Sequence, residues 1–352
     1  MVQFLNSLKL HIILTNKFKI KRKKRVMENN IIEVISEFAP LKKVVLAQSE
    51  FIFPEKEDGN NDGTFLSEES LDLYDGADTA GKDYKDVFPE RQNEWEKERE
   101  NLKKILEKHG VEVLLPRLLT EHEREVGKEY GCCNFFVRDP FFTIGSSIIE
   151  GSLRFFHRRN EILPIRYILT SEAYNTKAFY VSIPKPDISE SLHSEAGPFL
   201  EGGDVLVLNK TIFVGNSGQA SNHNGYLWLK SYLSHWGYDV IEVPLRKEVL
   251  HLDCALSLVR DGLMIVCEEA FINGIPQQLK NWDKIRVPFD DIAYLAINGL
   301  PINDSVYILD PQFEYIAKQL EERGVTVERI DFKISRSFGG SFRCSTQPLV
   351  RA

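Results

Sequence analysis

The chain has 352 residues, 43% of them hydrophobic and 27% charged, which is ordinary globular composition, long enough for one large or two smaller domains and unlike that of a disordered chain. Its formal charge of -8 and pI near 5.6 exclude a nucleic-acid surface, which depends on clustered Lys and Arg to displace counterions; a small cationic partner fits this balance better. Five cysteines, with one adjacent pair (Cys132, Cys133) and no C-x-x-C spacing, give neither a disulfide framework nor a zinc site and point to a reducing cytoplasm.

In chain order, residues 1–26 carry eight Lys/Arg and no acid. Their apolar run LKLHIIL precedes the basic KFKIKRKKR, the reverse of a secretory signal and too short to span a bilayer. This stretch is expected to be a solvated basic tail or an overextended reading frame, with no membrane role, and the folded domain is expected over 27–352. A weak strand pattern at LKKVVLAQ (41–48) is followed by a polar, acid-rich insertion around 53–92, the kind of loop that serves as a lid or binding loop.

A repeated unit then appears. Its first half is a helix, a glycine and a strand, at LKKILEKHGVEVLLP (102–116), LKSYLSHWGYDVIEVP (229–244) and IAKQLEERGVTVERID (316–331). Gly110, Gly237 and Gly324 stand where a helix ends in a left-handed residue. Its second half starts at an aspartate and runs through two short apolar strands, from Arg138, Gly203 and Leu252, with turns at Gly145-Ser146, Asn209-Lys210 and Asp261-Gly262. About four or five such units are expected; none buries its apolar face alone, and closure into a ring solves that problem. Closure also brings Asp139, Asp204 and Asp253, at the same point of successive units, toward one axis.

Four stretches put ionisable residues at hairpin entrances: FVRDPFF, FLEGGDVL, VLHLDCAL and GGSFRCST. Singly each reads as turn or packing chemistry. Together they supply a thiol (Cys344) beside a cation (Arg343) that would lower its pKa, an imidazole suited to proton transfer (His251), and three carboxylates (Asp139, Glu201, Asp253). Those acids oppose thiolate formation unless the substrate is itself a cation. A planar guanidinium fits, because paired carboxylates clamp its fork of donors.

Over roughly Leu41 to Arg351 these residues resemble the guanidino-group-modifying superfamily of amidinotransferases, arginine deiminases and dimethylarginine dimethylaminohydrolases, the pentein fold. Arg138-Asp139-Pro140, Glu201-Gly202-Gly203-Asp204, His251-Leu252-Asp253 and Gly339-Gly340 through Cys344 carry the resemblance. It implies a single catalytic domain built as a five-bladed α/β propeller. It makes Cys344 the nucleophile, His251 the general acid and base, and Glu201 the group that orients the substrate and supports His251. Asp139 and Asp253 would clamp the guanidinium, with Arg138, Asp204 and Arg343 also placed on the substrate side. No metal or organic cofactor is implied, and the partners are an arginine-like guanidino compound and an amine acceptor; a homo-oligomer is compatible with this reading.

The second nucleophile divides the family. Glu150 and the arginine-rich IIEGSLRFFHRRNEILPIRYIL (148–169) look like the amidinotransferase branch, whereas Arg343 before the cysteine and the Pro-Leu-x-Arg tail look like the deiminase branch. Transfer to an amine is the preferred reading and hydrolysis the alternative; a non-enzymatic propeller binding protein is a remote one that needs no Cys/His/Glu set. Arg154, Arg158, Arg159 and Arg166 are candidates for a substrate carboxylate. Cys132, Cys133, Cys254 and Cys267 read as packing residues, with Cys254 facing away from Asp253 on an extended segment, and His157, His193 and His223 as loop or solvent histidines.

Overall fold

The computed structural model describes residues 31–56, 67, 70, 77–191, 194 and 196–352; the basic stretch 1–26 and His193 lie outside them. It is a mixed α/β architecture in which five sheets repeat one pattern, an antiparallel pair with a third strand added in parallel. Phe141–Ile144 and Ser147–Glu150 are joined by Phe179–Ser182, and Val205–Leu208 and Thr211–Asn216 by Asp239–Pro244. Leu256–Arg260 and Leu263–Val266 take Asp283–Arg286, and Leu300–Asn303 and Val306–Leu309 take Thr326–Arg329. In the remaining sheet Leu41–Leu46 pairs antiparallel with Thr346–Arg351, from the far end of the chain, and in parallel with Glu112–Leu114. The weak pattern at 41–48 is thus completed by the C-terminal segment.

Gly110, Gly237 and Gly324 have φ of +77°, +67° and +76°. Nothing lies within 4 Å of a Cβ added at any of the three, so the requirement is for backbone conformation and not for space. The helix Arg166–Thr176 ends instead at Lys177, with φ of +59°, which is why the unit around 153–182 shows no glycine signal. The hairpin beginning at Leu300 turns at Asp304-Ser305 and lacked a glycine signal too.

Successive residues of a strand face opposite ways, and here both faces are buried. Phe141 and Ile148 pack with Val45 and Ala47, while Phe142 and Ile149 pack with Val205 and Ile212. Leu206 and Phe213 pack with Leu256, Ile265, Tyr307 and Leu309, and Leu300 and Ile308 with Leu41 and Val44. Each sheet therefore shares a core with the next, and the fifth with the first. This explains continuous apolar runs such as VLVL and LMIV where a one-sided sheet would alternate.

Two expectations are corrected. The segment after His251 begins with a helical turn, Leu252–Ala255, before the strand, so Cys254 is not turned away from Asp253; its Sγ lies 3.7 Å from Asp253 Oδ1. The insertion around 53–92 is not loop throughout: Tyr84 is fully buried, Tyr84–Val87 is helical, and the long helix Pro89–Lys108 already starts within it. Among the described residues no helix is long and apolar enough to cross a membrane.

Candidate active site

The four motifs meet because glycine lets their backbones touch. A Cβ on Gly202 would lie 2.0 Å from the Arg138 carbonyl, and one on Gly203 would lie 2.7 Å from His251 Cγ and 2.8 Å from Asp139 Oδ1. A Cβ on Gly340 would lie 2.2 Å from the Phe136 ring. The Asp204 carboxylate accepts from Leu252 N at 2.9 Å and Ser221 N at 3.3 Å, which fastens the turn carrying His251 and Asp253 to the one carrying Glu201.

The Cys344 turn is strapped from both sides. Asn298 Oδ1 accepts from Ser341 N and Cys344 N, each at 3.2 Å, and the Cys344 carbonyl accepts from Val137 N at 3.1 Å and Arg138 N at 3.2 Å, on the segment leading to Asp139. Cys344 itself is buried, with Sγ 4.0 Å from Asp253 Oδ2.

Opposite charges are concentrated here. His251 Nε2 donates to Glu201 Oε2 at 2.9 Å and lies 3.9 Å from Asp139 Oδ1. Burial alone would lower the imidazole pKa, but the charge of Asp139, the hydrogen bond to Glu201 and the charge of Asp204 outweigh it and raise it to about 10. His251 is therefore an imidazolium at neutral pH. Burial opposes ionisation of Asp139 as well, yet His251 and Arg158 hold its pKa below the ordinary value. Glu201 is fully buried; its Oε1 accepts from Arg154 N at 3.0 Å.

A guanidinium belonging to the chain itself occupies this acid cluster. Arg158 donates to Asp139 Oδ2 at 2.9 Å and to Glu161 at 2.8 and 2.9 Å, and it stands 3.5 Å from Glu201 Oε2. Asp139, Glu201 and His251 also offer ligand atoms within 4.8 Å of one another, a spacing suited to a divalent cation; Arg158 meets both carboxylates of that trio.

Cys344 differs from its sequence reading. Burial, then the charges of Asp253 and Asp139, push its pKa well above the usual thiol value, against smaller opposing effects of the Ser341 backbone bond and Arg343. Arg343 cannot dominate because its guanidinium is already shared: it donates to Glu37 at 3.1 and 3.2 Å, to the Val205 carbonyl at 2.8 Å and to Asp253 Oδ2 at 2.8 Å. Arg138 likewise points inward, to the Arg343 carbonyl at 3.0 Å and Gln347 Oε1 at 2.6 Å. With Asp204 holding two backbone amides, these three residues, expected on the substrate side, tie site segments together.

Among the candidate carboxylate binders, Arg166 pairs with Glu150 at 2.8 Å, Arg159 donates to the Leu153 and Arg154 carbonyls at 3.2 and 2.9 Å, and Arg154 lies over the Phe199 ring. His223 pairs with Glu242 at 2.9 Å near the surface. All five cysteines are free thiols, and Cys132 is the one that is not fully buried. Sequence reasoning missed Glu37, Asn298, Glu161 and the inward course of Arg158. Only Asn298 left a local trace, the Asn298-Gly299 turn signal between apolar segments.

A family model described as N,N dimethylarginine dimethylhydrolase, eukaryotic, matches residues 77–351. The uncharacterized protein YkgA of Bacillus subtilis (strain 168) is 28% identical over 279 residues, covering 76% of this chain and 87% of that one. The L-arginine:L-lysine amidinotransferase of Pseudomonas savastanoi pv. phaseolicola is 24% identical over 306 residues, covering 78% and 82%. The solved structure of inosamine-phosphate amidinotransferase from Streptomyces griseus superposes with a TM-score of 0.73 at 21% identity, covering 92% of this chain and 98% of that one; it shares the fold.

Proposed function

Because the chain belongs to the eukaryotic N,N-dimethylarginine dimethylhydrolase family, and with it to the guanidino-modifying pentein enzymes, we propose that it moves the amidino group of arginine or a related guanidino compound to an amine through Cys344. The observation that carries this reading is that the acids around His251 already bind a guanidinium, that of Arg158, 2.9 Å from Asp139 and 3.5 Å from Glu201. A substrate guanidinium brings the same charge and donor geometry to Asp139, Asp253 and Glu201. Burial, then the charges of Asp253 and Asp139, keep Cys344 protonated, and the substrate's positive charge offsets those two carboxylates.

In the first half-reaction Cys344 loses its proton to solvent as the guanidinium docks, and the thiolate attacks the guanidinium carbon to form a tetrahedral adduct. The adduct's C–N bond breaks as the His251 imidazolium donates its proton to the departing amine, leaving an amidino group on sulfur. The raised His251 pKa means that the imidazole carries this proton at neutral pH. In the second half-reaction neutral His251 takes a proton from the acceptor amine, which attacks the same carbon and expels the thiolate. Glu201 holds the imidazole through both steps.

The amine acceptor is favoured by the arginine:lysine amidinotransferase, which is similar to this chain over most of both lengths. A second reading, water as the acceptor, is favoured by the family model. Incubation with arginine alone separates them: ornithine formed only when an amine is added identifies transfer, and citrulline formed without one identifies hydrolysis. In this reading the five sheets are the blades of a closed propeller forming one catalytic domain over 27–352, a view supported by the core shared between fifth and first sheets. A lid role for the insertion around 53–92 rests on its described part, where the Tyr84 ring centroid lies 5.1 Å from that of Phe338 beside the nucleophile segment.

A further inference from the structure

Two neighbouring residues of the helix Pro89–Lys108 hold the two ends of the segment that carries Cys344. Glu98 is buried, and its carboxylate accepts from Ile334 N at 2.6 Å, Ser335 N at 2.9 Å and Ser335 Oγ at 2.7 Å. Arg99, also buried, donates to Ser345 Oγ at 2.6 Å, next to the nucleophile. Ser345 Oγ passes that bond on, donating to the Ser341 carbonyl at 2.8 Å and so closing the turn around Cys344.

Arg99 reaches two further site segments. It donates to the Phe135 carbonyl at 2.9 Å, on the stretch leading to Asp139, and to the Gln48 carbonyl at 3.3 Å. Its remaining neighbours are aromatic, with the Phe332 ring centroid 5.0 Å away and the Trp95 ring 5.9 Å away. The hydrogen bonds of this guanidinium thus go to neutral acceptors, while both oxygens of the adjacent Glu98 are spent on 334–335. The charges that face this guanidinium are those of Glu98, beside it on the helix, and of Cys344.

We propose that Arg99 is a positioning residue for the reaction: it fixes the Ser341–Ser345 turn and supplies the standing positive charge against which Cys344 ionises. The groups facing Cys344 mostly oppose its ionisation. Asp253, 4.0 Å from the sulfur, and Asp139 oppose the thiolate, Cys254 adds another thiol on the Asp253 side, and Arg343 is shared with Glu37 and Asp253. Consistent with mutual stabilisation, burial lowers the Arg99 pKa to about 10 while Glu98 and Cys344 pull it back up.

This inference rests on Cys344 being the attacking group, so its test reads ionisation first and uses turnover only in the S345A arm. The pH dependence of iodoacetamide alkylation at Cys344, followed by peptide mass spectrometry, gives the thiol pKa in wild type, R99Q, R99K, S345A and E98Q. R99Q raises it by about one to two pH units, R99K stays close to wild type, and E98Q lowers the melting temperature with the thiol pKa unmoved. S345A, which keeps the charge but cuts the link, leaves the thiol pKa within a few tenths of a pH unit and lowers kcat about tenfold at unchanged KM.

A folded R99Q with the wild-type thiol pKa overturns the proposal, as does an equal rise in R99Q, R99K and E98Q, which would mean general loosening. Should R99Q not fold, S345A decides, and wild-type kcat in S345A overturns the positioning role. Retained turnover in C344S would instead sink the proposed function and leave the alkylation result standing.

Discussion

Replacing Glu201 by Gln removes one charge from His251 while keeping the shape of the group 2.9 Å from its Nε2. The gap between an ordinary 6.5 and about 10 for His251, at about 1.36 kcal/mol per pH unit, corresponds to about 5 kcal/mol favouring the imidazolium in the folded protein. Burial works against that preference, and Asp139, Glu201 and Asp204 share in producing it. Losing Glu201 should therefore bring the His251 pKa down by about two pH units.

The sign of the stability effect follows from linkage. A pKa raised on folding contributes stability that is fully present below about 6.5, the unfolded value, and is lost as pH rises through the folded value near 10. Wild type should thus lose stability between these limits by up to about 5 kcal/mol from this group, and E201Q by about 2 kcal/mol, with its loss complete nearer pH 8. Ring-nitrogen NMR, with His251 assigned by H251N, measures the pKa directly, and urea unfolding at stepped pH measures the slope. A His251 that titrates near 6.5 in wild type, or at the same pH in both proteins, refutes the reasoning.

Other perturbations read other contacts. D253N removes the carboxylate 4.0 Å from the Cys344 sulfur, so the alkylation pKa of Cys344 should fall. It also takes one acid from buried Arg343, costing about 3–5 kcal/mol in urea unfolding; a rise in thiol pKa contradicts the assignment of Asp253 as the opposing charge. In G203A the new Cβ would stand 2.7 Å from His251 Cγ, and kcat should drop by about 100-fold or more; steady-state rates near wild type would show that the approach of these segments does not matter. R158A leaves Asp139, Glu161 and Glu201 without their guanidinium, so millimolar methylguanidine should raise its melting temperature well above any effect on wild type. No difference between the two would mean that these acids do not select a guanidinium.

Much of this site was legible because close backbone approach imposes local sequence. Gly202 and Gly203 are required where the 201–204 turn meets Arg138, Asp139 and His251, and the helix ends at Gly110, Gly237 and Gly324 require a left-handed backbone. The repeat became visible through those glycines and disappeared at Lys177, where a side chain takes the same conformation. What stayed hidden acts across the fold. Glu37 neutralises Arg343 from 306 positions away, and Arg99 reaches Ser345 across 246; neither pairing has a local pattern. The direction of the Cys344 pKa was misread for a related reason: Arg343 adjoins Cys344 in sequence, but the charge of a buried arginine belongs to whichever carboxylates the fold brings to it.

The central claim is that Cys344 becomes covalently bonded to the guanidino carbon. Intact-protein and peptide mass spectrometry of enzyme acid-quenched during turnover with arginine, with and without an amine, tests it most directly. An amidino or arginine-sized adduct on Cys344, formed in wild type and abolished in a folded C344S that has lost turnover, is the predicted result. Sustained turnover by C344S, or measurable wild-type turnover with the Cys344 peptide unmodified at every quench time, would contradict the account.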